Sequence, residues 1–141
     1  MNASPTTAAP PSDTAPAPHE DRATMHIGAV AERTGLSLRT LRHYDDVELV
    51  RPSERTEGGF RLYTEGDVDR LLLVRRMKPL GFSLEEMADL LRVVDGSAAE
   101  GEDLDVRLAG FVQAARERRE KLARTLAMAD EFIDLLEARS R

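Results

Sequence analysis

Arg39, Thr40, Arg42, His43 and Tyr44 fall within six residues, directly after Ser37. These side chains are mostly hydrogen-bond donors. A guanidinium fork matches the paired acceptors of a guanine edge or a phosphate. Ser37 is a good helix N-cap, and the free N–H groups of a helix start can hold a phosphate. A second group, Arg55, Gly59, Arg61 and Tyr63, flanks the turn Glu57-Gly58-Gly59, where glycine lets a backbone approach closely. Such residues suit DNA contact. A plainer reading stands beside it. Arg39 and Arg42 also fit a solvated face with Asp45 and Asp46 as partners. Tyr44 and Tyr63 also fit core rings with hydroxyls at the surface, and Phe60 reads as packing.

Other chemistries find no support. The chain has no cysteine, which removes disulfides, thiolate metal sites, iron–sulfur clusters and cysteine nucleophiles together. His19, His26 and His43 lack partners at metal-ligand spacing. No catalytic triad, phosphate loop or carboxylate pair stands out. The expectation is a non-enzyme without cofactor or metal.

Two elements must position the two groups. Ile27, Val30 and Ala31 share one helical face, and Thr34-Gly35 ends that helix. A second helix runs from Ser37 to about Val47, with Leu38, Leu41 and Asp45 on one side. Two helices around a glycine turn outline a helix-turn-helix. Arg51–Arg55 and Phe60–Tyr63 then read as a small hairpin, a wing.

The rest supplies support. Thr64 with Asp67 resembles a capping box opening a helix to about Lys78, with Val68, Leu71, Leu72 and Arg75 in period. Ser83 and Glu86 form a second box ahead of a stripe of Leu84, Met87, Leu90, Leu91 and Val94. From Leu104, steps of four and three join Leu104, Leu108, Phe111, Ala115, Leu122, Ala129, Phe132 and Leu136, with Arg118 and Thr125 as interruptions. Such a stripe either folds back on its own domain or pairs with a second chain; its length favours an antiparallel dimer contact. The expected fold is mainly α: a disordered Ala/Pro-rich tail (1–24), a winged helix-turn-helix domain (25–95), a linker (96–102) and a dimerisation helix (103–141). Met25 is an alternative initiator, which would make the tail a start-site artefact.

Net charge is −6, which alone argues weakly against nucleic acid. Residues 1–24, 25–80 and 81–141 carry −2, +1 and −5. The middle segment is no basic stripe, so DNA contact would rest on a few placed arginines. Eighteen of the 20 basic residues are Arg, a bias that a GC-rich genome also produces. No apolar run approaches the ~18 residues needed to span a bilayer, and no secretory signal pattern opens the chain; a cytoplasmic protein is expected.

The strings Ile27-Gly28-Ala29-Val30-Ala31, Thr34 to Asp45, Gly59-Phe60-Arg61-Leu62-Tyr63 and Leu80 to Met87 resemble MerR-family regulators in family order. The resemblance implies a homodimer joined by antiparallel C-terminal helices, bound to double-stranded promoter DNA. It also implies an over-long spacer that the activated form bends and untwists for RNA polymerase. By position, Arg39, Thr40, Arg42 and Tyr44 would belong to the recognition helix, and Arg55, Gly59 and Arg61 to the wing. There are departures. Val47-Glu48 stands where the family often has Ile-Gly, and Pro79 would stiffen the loop before Gly81. Without cysteine, the thiolate metal-sensing and iron–sulfur branches are excluded. The ligand domain of the drug-sensing branch is missing, since the chain stops at Arg141. A small apolar or cationic effector could fit among Leu90, Val94, Phe111 and Leu122 of the partner subunit, although ordinary dimer core explains those residues too. Two other functions stay open: an architectural DNA binder, and an interaction module acting through its acidic C-terminal helix.

Overall fold

The computed structural model describes residues 23–96 and 103–140. Most of the tail and nearly all of the linker lie outside the described residues. The elements in order are β1 (Thr24–His26), α1 (Ile27–Thr34), α2 (Leu38–Asp46), β2 (Glu54–Arg55), β3 (Arg61–Thr64), α3 (Glu65–Met77), a 3-10 turn (Lys78–Leu80), α4 (Leu84–Val94) and α5 (Leu104–Arg139).

α1 ends where its sequence demands. Gly35 takes φ 74, and its N–H returns to the Ala31 carbonyl at 2.9 Å. Buried Thr34 secures the turn: its Oγ1 donates to the Val30 carbonyl and accepts from Leu36 N–H. Ser37 then caps α2 by accepting from Thr40 N–H at 3.0 Å.

The wing has one more strand than the expected hairpin. The sheet order is β1-β3-β2, antiparallel throughout, with Met25 opposite Tyr63 and Arg55 opposite Arg61. Thr24 therefore belongs to the folded domain, paired with Thr64. Three residues are too few to show an alternation; the exposed edge of β3 makes them a strand.

Val30, Leu41, Tyr44, Tyr63, Val68, Leu71, Val74, Phe82, Met87, Leu90 and Leu91 form one continuous core. It draws on every helix between residues 25 and 95. Both capping boxes are present. Asp67 does more than cap: it also accepts from Ser53 N–H (2.9 Å), Ser53 Oγ (2.8 Å) and Arg70. This ties the loop before β2 to α3. Several apolar positions differ from the expected stripes. Leu38, Leu84 and Val94 are exposed, Arg75 is exposed, and Val74, Met77 and Val93 are buried instead. Leu38 and Leu84 open their helices and Val94 ends one, where fewer neighbours surround a side chain.

α5 divides its seam. Phe111, Ala114 and Ala115 pack on the domain's own core. Arg118 is an internal strut: it donates to Glu86 at 2.9 Å and lies 4.0 Å over the Phe82 ring. From residue 119 to 139 every residue is exposed. The fold-back and the unpartnered stripe thus occupy different parts of one helix.

Glu48 is a non-glycine residue at positive φ, 60°. It fills the slot where the family pattern often has glycine, so the backbone is kept while a side chain is added. Relief of αL crowding of ~1–2 kcal/mol, less glycine's added chain entropy of roughly 0.5–1 kcal/mol, leaves a modest gain. Glu48→Gly should therefore raise stability by about 0.5–1 kcal/mol in urea denaturation. Lower stability would mean that the exposed Arg51–Glu48 pair outweighs the backbone relief.

Candidate nucleic-acid interface

α2 is locked on one side and open on the other. Leu41, Tyr44 and Asp45 are buried, while Arg39, Arg42, His43 and Asp46 are exposed at helical spacing. Arg39 and Arg42 have no hydrogen-bond or ion-pair partner among the described residues. The plainer reading gave them Asp45 and Asp46; Asp45 is engaged elsewhere. Thr40 is half-buried. The Ser37 hydroxyl is used locally, accepting from Thr40 N–H and donating to Thr40 Oγ1. Any anion at this helix start would meet the free N–H groups rather than that oxygen.

Asp45 connects α2 to the wing. Its Oδ2 accepts from Arg61 Nε at 2.6 Å and from Arg55 Nη2 at 2.8 Å. Arg51 Nε stands 3.7 Å from Oδ1. Burial pushes the Asp45 carboxyl up, but the hydrogen bonds from Arg61 and Arg55 outweigh it and hold it below its ordinary value. The hydrogen bond to Asp45 likewise raises Arg61. Gly59 takes φ 87 at the wing tip, and its N–H donates to the Thr56 carbonyl at 2.8 Å. Its carbonyl lies 3.4 Å from Arg55 Nη1.

Both expected tyrosines have their rings in the core, Tyr44 3% exposed and Tyr63 0%. Tyr63 is buried whole: its hydroxyl has no partner among the described residues, and burial pushes its phenol up. Phe60 moves the other way. It is 69% exposed beside the glycine turn, a wing-tip ring that composition had assigned to packing. Arg51 and Asp45 are site residues missed at the sequence level. Asp45 was placed on the apolar side of α2, and a buried carboxylate there was itself the signal.

Leu90 is buried, Val94 is exposed, and the groove beside Phe111, about 380 Å³, is lined by Phe82, Glu86, Val106, Arg107, Gly110 and Ala114. No group of His, Asp and Glu suited to a metal occurs among the described residues. No described helix is long and apolar enough to cross a membrane.

A two-helix reader with a donor-bearing outer face, a three-stranded wing tied to it and a long trailing helix defines a winged helix-turn-helix DNA-binding regulator. The chain belongs to the MerR family of transcriptional regulators. Residues 25–93 match the MerR HTH family regulatory protein signature, and residues 68–138 match the MerR DNA-binding signature. The family is not one of enzymes. An uncharacterised HTH-type transcriptional regulator of Pseudomonas aeruginosa is 34% identical over 113 residues, covering 80% of this chain and 83% of its own length. The HTH-type transcriptional activator mta of Bacillus subtilis is 47% identical over 65 residues, only 25% of its length. A solved MerR-family regulator lacking its sensor domain and bound to promoter DNA, HiNmlR, superposes with TM-score 0.58 at 26% identity. That match covers 83% of this chain and 87% of the other.

The Asp45 carboxyl sits below its ordinary value when folded. Its contribution is therefore present above that value and is lost as pH falls through the lowered one. Asp45→Asn should flatten the loss of stability below about pH 4, read by acid titration of the unfolding midpoint. Parallel curves for the two proteins would remove the carboxylate from the acid limb.

Proposed function

We propose that the protein binds promoter DNA as a homodimer, with the exposed face of α2 in a major groove and the wing on flanking phosphates. In this reading it distorts an over-long promoter spacer, so that RNA polymerase on the same promoter can use both elements. The carrying observation is the pair Arg39 and Arg42, exposed and without a partner among the described residues, on a short helix whose opposite face is fixed in the core. Groove reading needs that combination of anchored back and donor-bearing front. A relative solved bound to promoter DNA supports promoter DNA as the partner. The work would be done in the cytoplasm, where such DNA lies. Untwisting costs deformation energy that helix and wing contacts can offset.

The dimer reading rests on α5. Leu122, Leu126, Met128, Phe132, Ile133, Leu135 and Leu136 are 47–68% exposed. So dense an apolar stretch is a partner surface by default. An antiparallel pairing centred on Leu122 suits the seam. It would bring Leu108 near Leu136 of the partner subunit and Ala115 near Ala129 of the partner subunit, with Leu122 meeting its own copy. No effector is assigned.

The absence of native cysteine makes the dimer test clean. Leu122→Cys should oxidise to a covalent dimer, while Arg124→Cys on another face should not; the reverse pattern would sink the central register. DNase footprinting upstream of the protein's own gene should show a two-fold symmetric site between promoter elements, lost in Arg42→Ala and weakened by salt. Protection that survives Arg42→Ala would remove α2 as the reader. No protection on that DNA or a genomic pool would favour the interaction-module function.

A further inference from the structure

We propose that Asp45 is a positioning residue for DNA binding, holding Arg61 and Arg55 so that their outer N–H groups form a preset clamp for the DNA backbone. This rests on the reading that the wing lies on phosphates. The structure contains two kinds of arginine. On α2, Arg39 and Arg42 have no partner among the described residues. Arg55 and Arg61 come from neighbouring strands, stand opposite each other in the sheet register, and share one carboxylate oxygen.

The bonding leaves Arg61 open and Arg55 partly so, since Arg55 directs Nη2 to Asp45 and Nη1 to the Gly59 carbonyl at 3.4 Å. Arg61 uses only Nε on Asp45, and its Nη1 and Nη2 have no partner among the described residues. The side chains keep exposures of 25% for Arg61 and 41% for Arg55, against 5% for Asp45. So the carboxylate is inside and part of each guanidinium is outside. One negative charge between two positive ones leaves a net positive site. A long arginine side chain loses rotamer freedom when it grips a phosphate. Here that loss is already taken in folding, since Asp45 has fixed the fork before DNA arrives.

A competing role is a brake, in which Asp45 withholds the arginines from phosphate. The two roles predict opposite signs. Removing a negative charge favours DNA electrostatically, so a loss of affinity in Asp45→Asn requires positioning.

The test measures binding of the full chain to a fluorescent random-sequence duplex across a salt series. Such a duplex suffices because phosphate contacts are not sequence-specific. Asp45→Asn should bind roughly fivefold more weakly. Its slope of log affinity against log salt should be shallower by about 0.9 per engaged wing arginine lost. Thermal melting checks that the variant is folded. In an Arg55→Ala/Arg61→Ala background, Asp45→Asn should cause no further loss, because its effect runs through those side chains. Should Asp45→Asn not fold, Arg61→Lys keeps the charge but not the fork, and should weaken binding similarly. Unchanged or tighter binding by Asp45→Asn, or wild-type binding by Arg61→Lys, overturns the proposal. If Arg55→Ala/Arg61→Ala itself binds like wild type, the wing reading fails and the proposal with it. Loss in that variant alone would refute only the role of Asp45.

Discussion

An ionised carboxylate cannot be buried cheaply unless donors surround it, and Asp45 has its donors on the wing. Arg61 and Arg55 reach it from β3 and β2, so the end of the recognition helix and the wing cannot move independently. That constraint organises the DNA-facing side. Asp67 performs a related task at the other end of the connecting loop, joining Ser53, Thr64 and Arg70. Between them the two aspartates hold both ends of the segment that joins α2 to the wing. The hydrophobic core supplies mass and direction; these two carboxylates supply alignment.

Much of this was legible in the residues, and the reason is locality. Gly35, Ser37, Thr64 with Asp67, and Ser83 with Glu86 act within four positions of themselves, so their geometry follows from neighbours alone. What escaped depends on distant partners. β1 is a strand only because β3 offers an edge. Arg61 and Arg55 read as free phosphate donors, but across 16 and ten residues of separation they close onto Asp45. Phe60 is exposed because the wing tip has nothing to pack against except its own glycine turn.

α5 shows why a periodic stripe does not by itself identify its partner. Phe111 and Ala115 meet the protein's own core, whereas Leu122 and Phe132 are exposed apolar side chains outside it. Arg118, which interrupts the seam in sequence, marks the change between the two regimes. Its charge is answered by Glu86 and its stem lies on Phe82. An apolar residue there would extend the stripe but lose the strut that sets the angle of α5 to α4. The C-terminal helix thus meets α4 through a charged contact as well as an apolar one.

The same economy of placed charge explains how an acidic chain can serve DNA. A net charge of −6 opposes non-specific attraction, and many of the carboxylates lie in α5 and the segment before it. The domain that faces DNA needs only local excess. It obtains this by spending Asp45 as an internal brace, where it is 5% exposed, while Arg39 and Arg42 remain unneutralised. Free arginines can adjust to base edges, and braced ones can set the register against the backbone. Sequence preference and registration would then be carried by different residues of the same type, distinguished only by whether a carboxylate holds them.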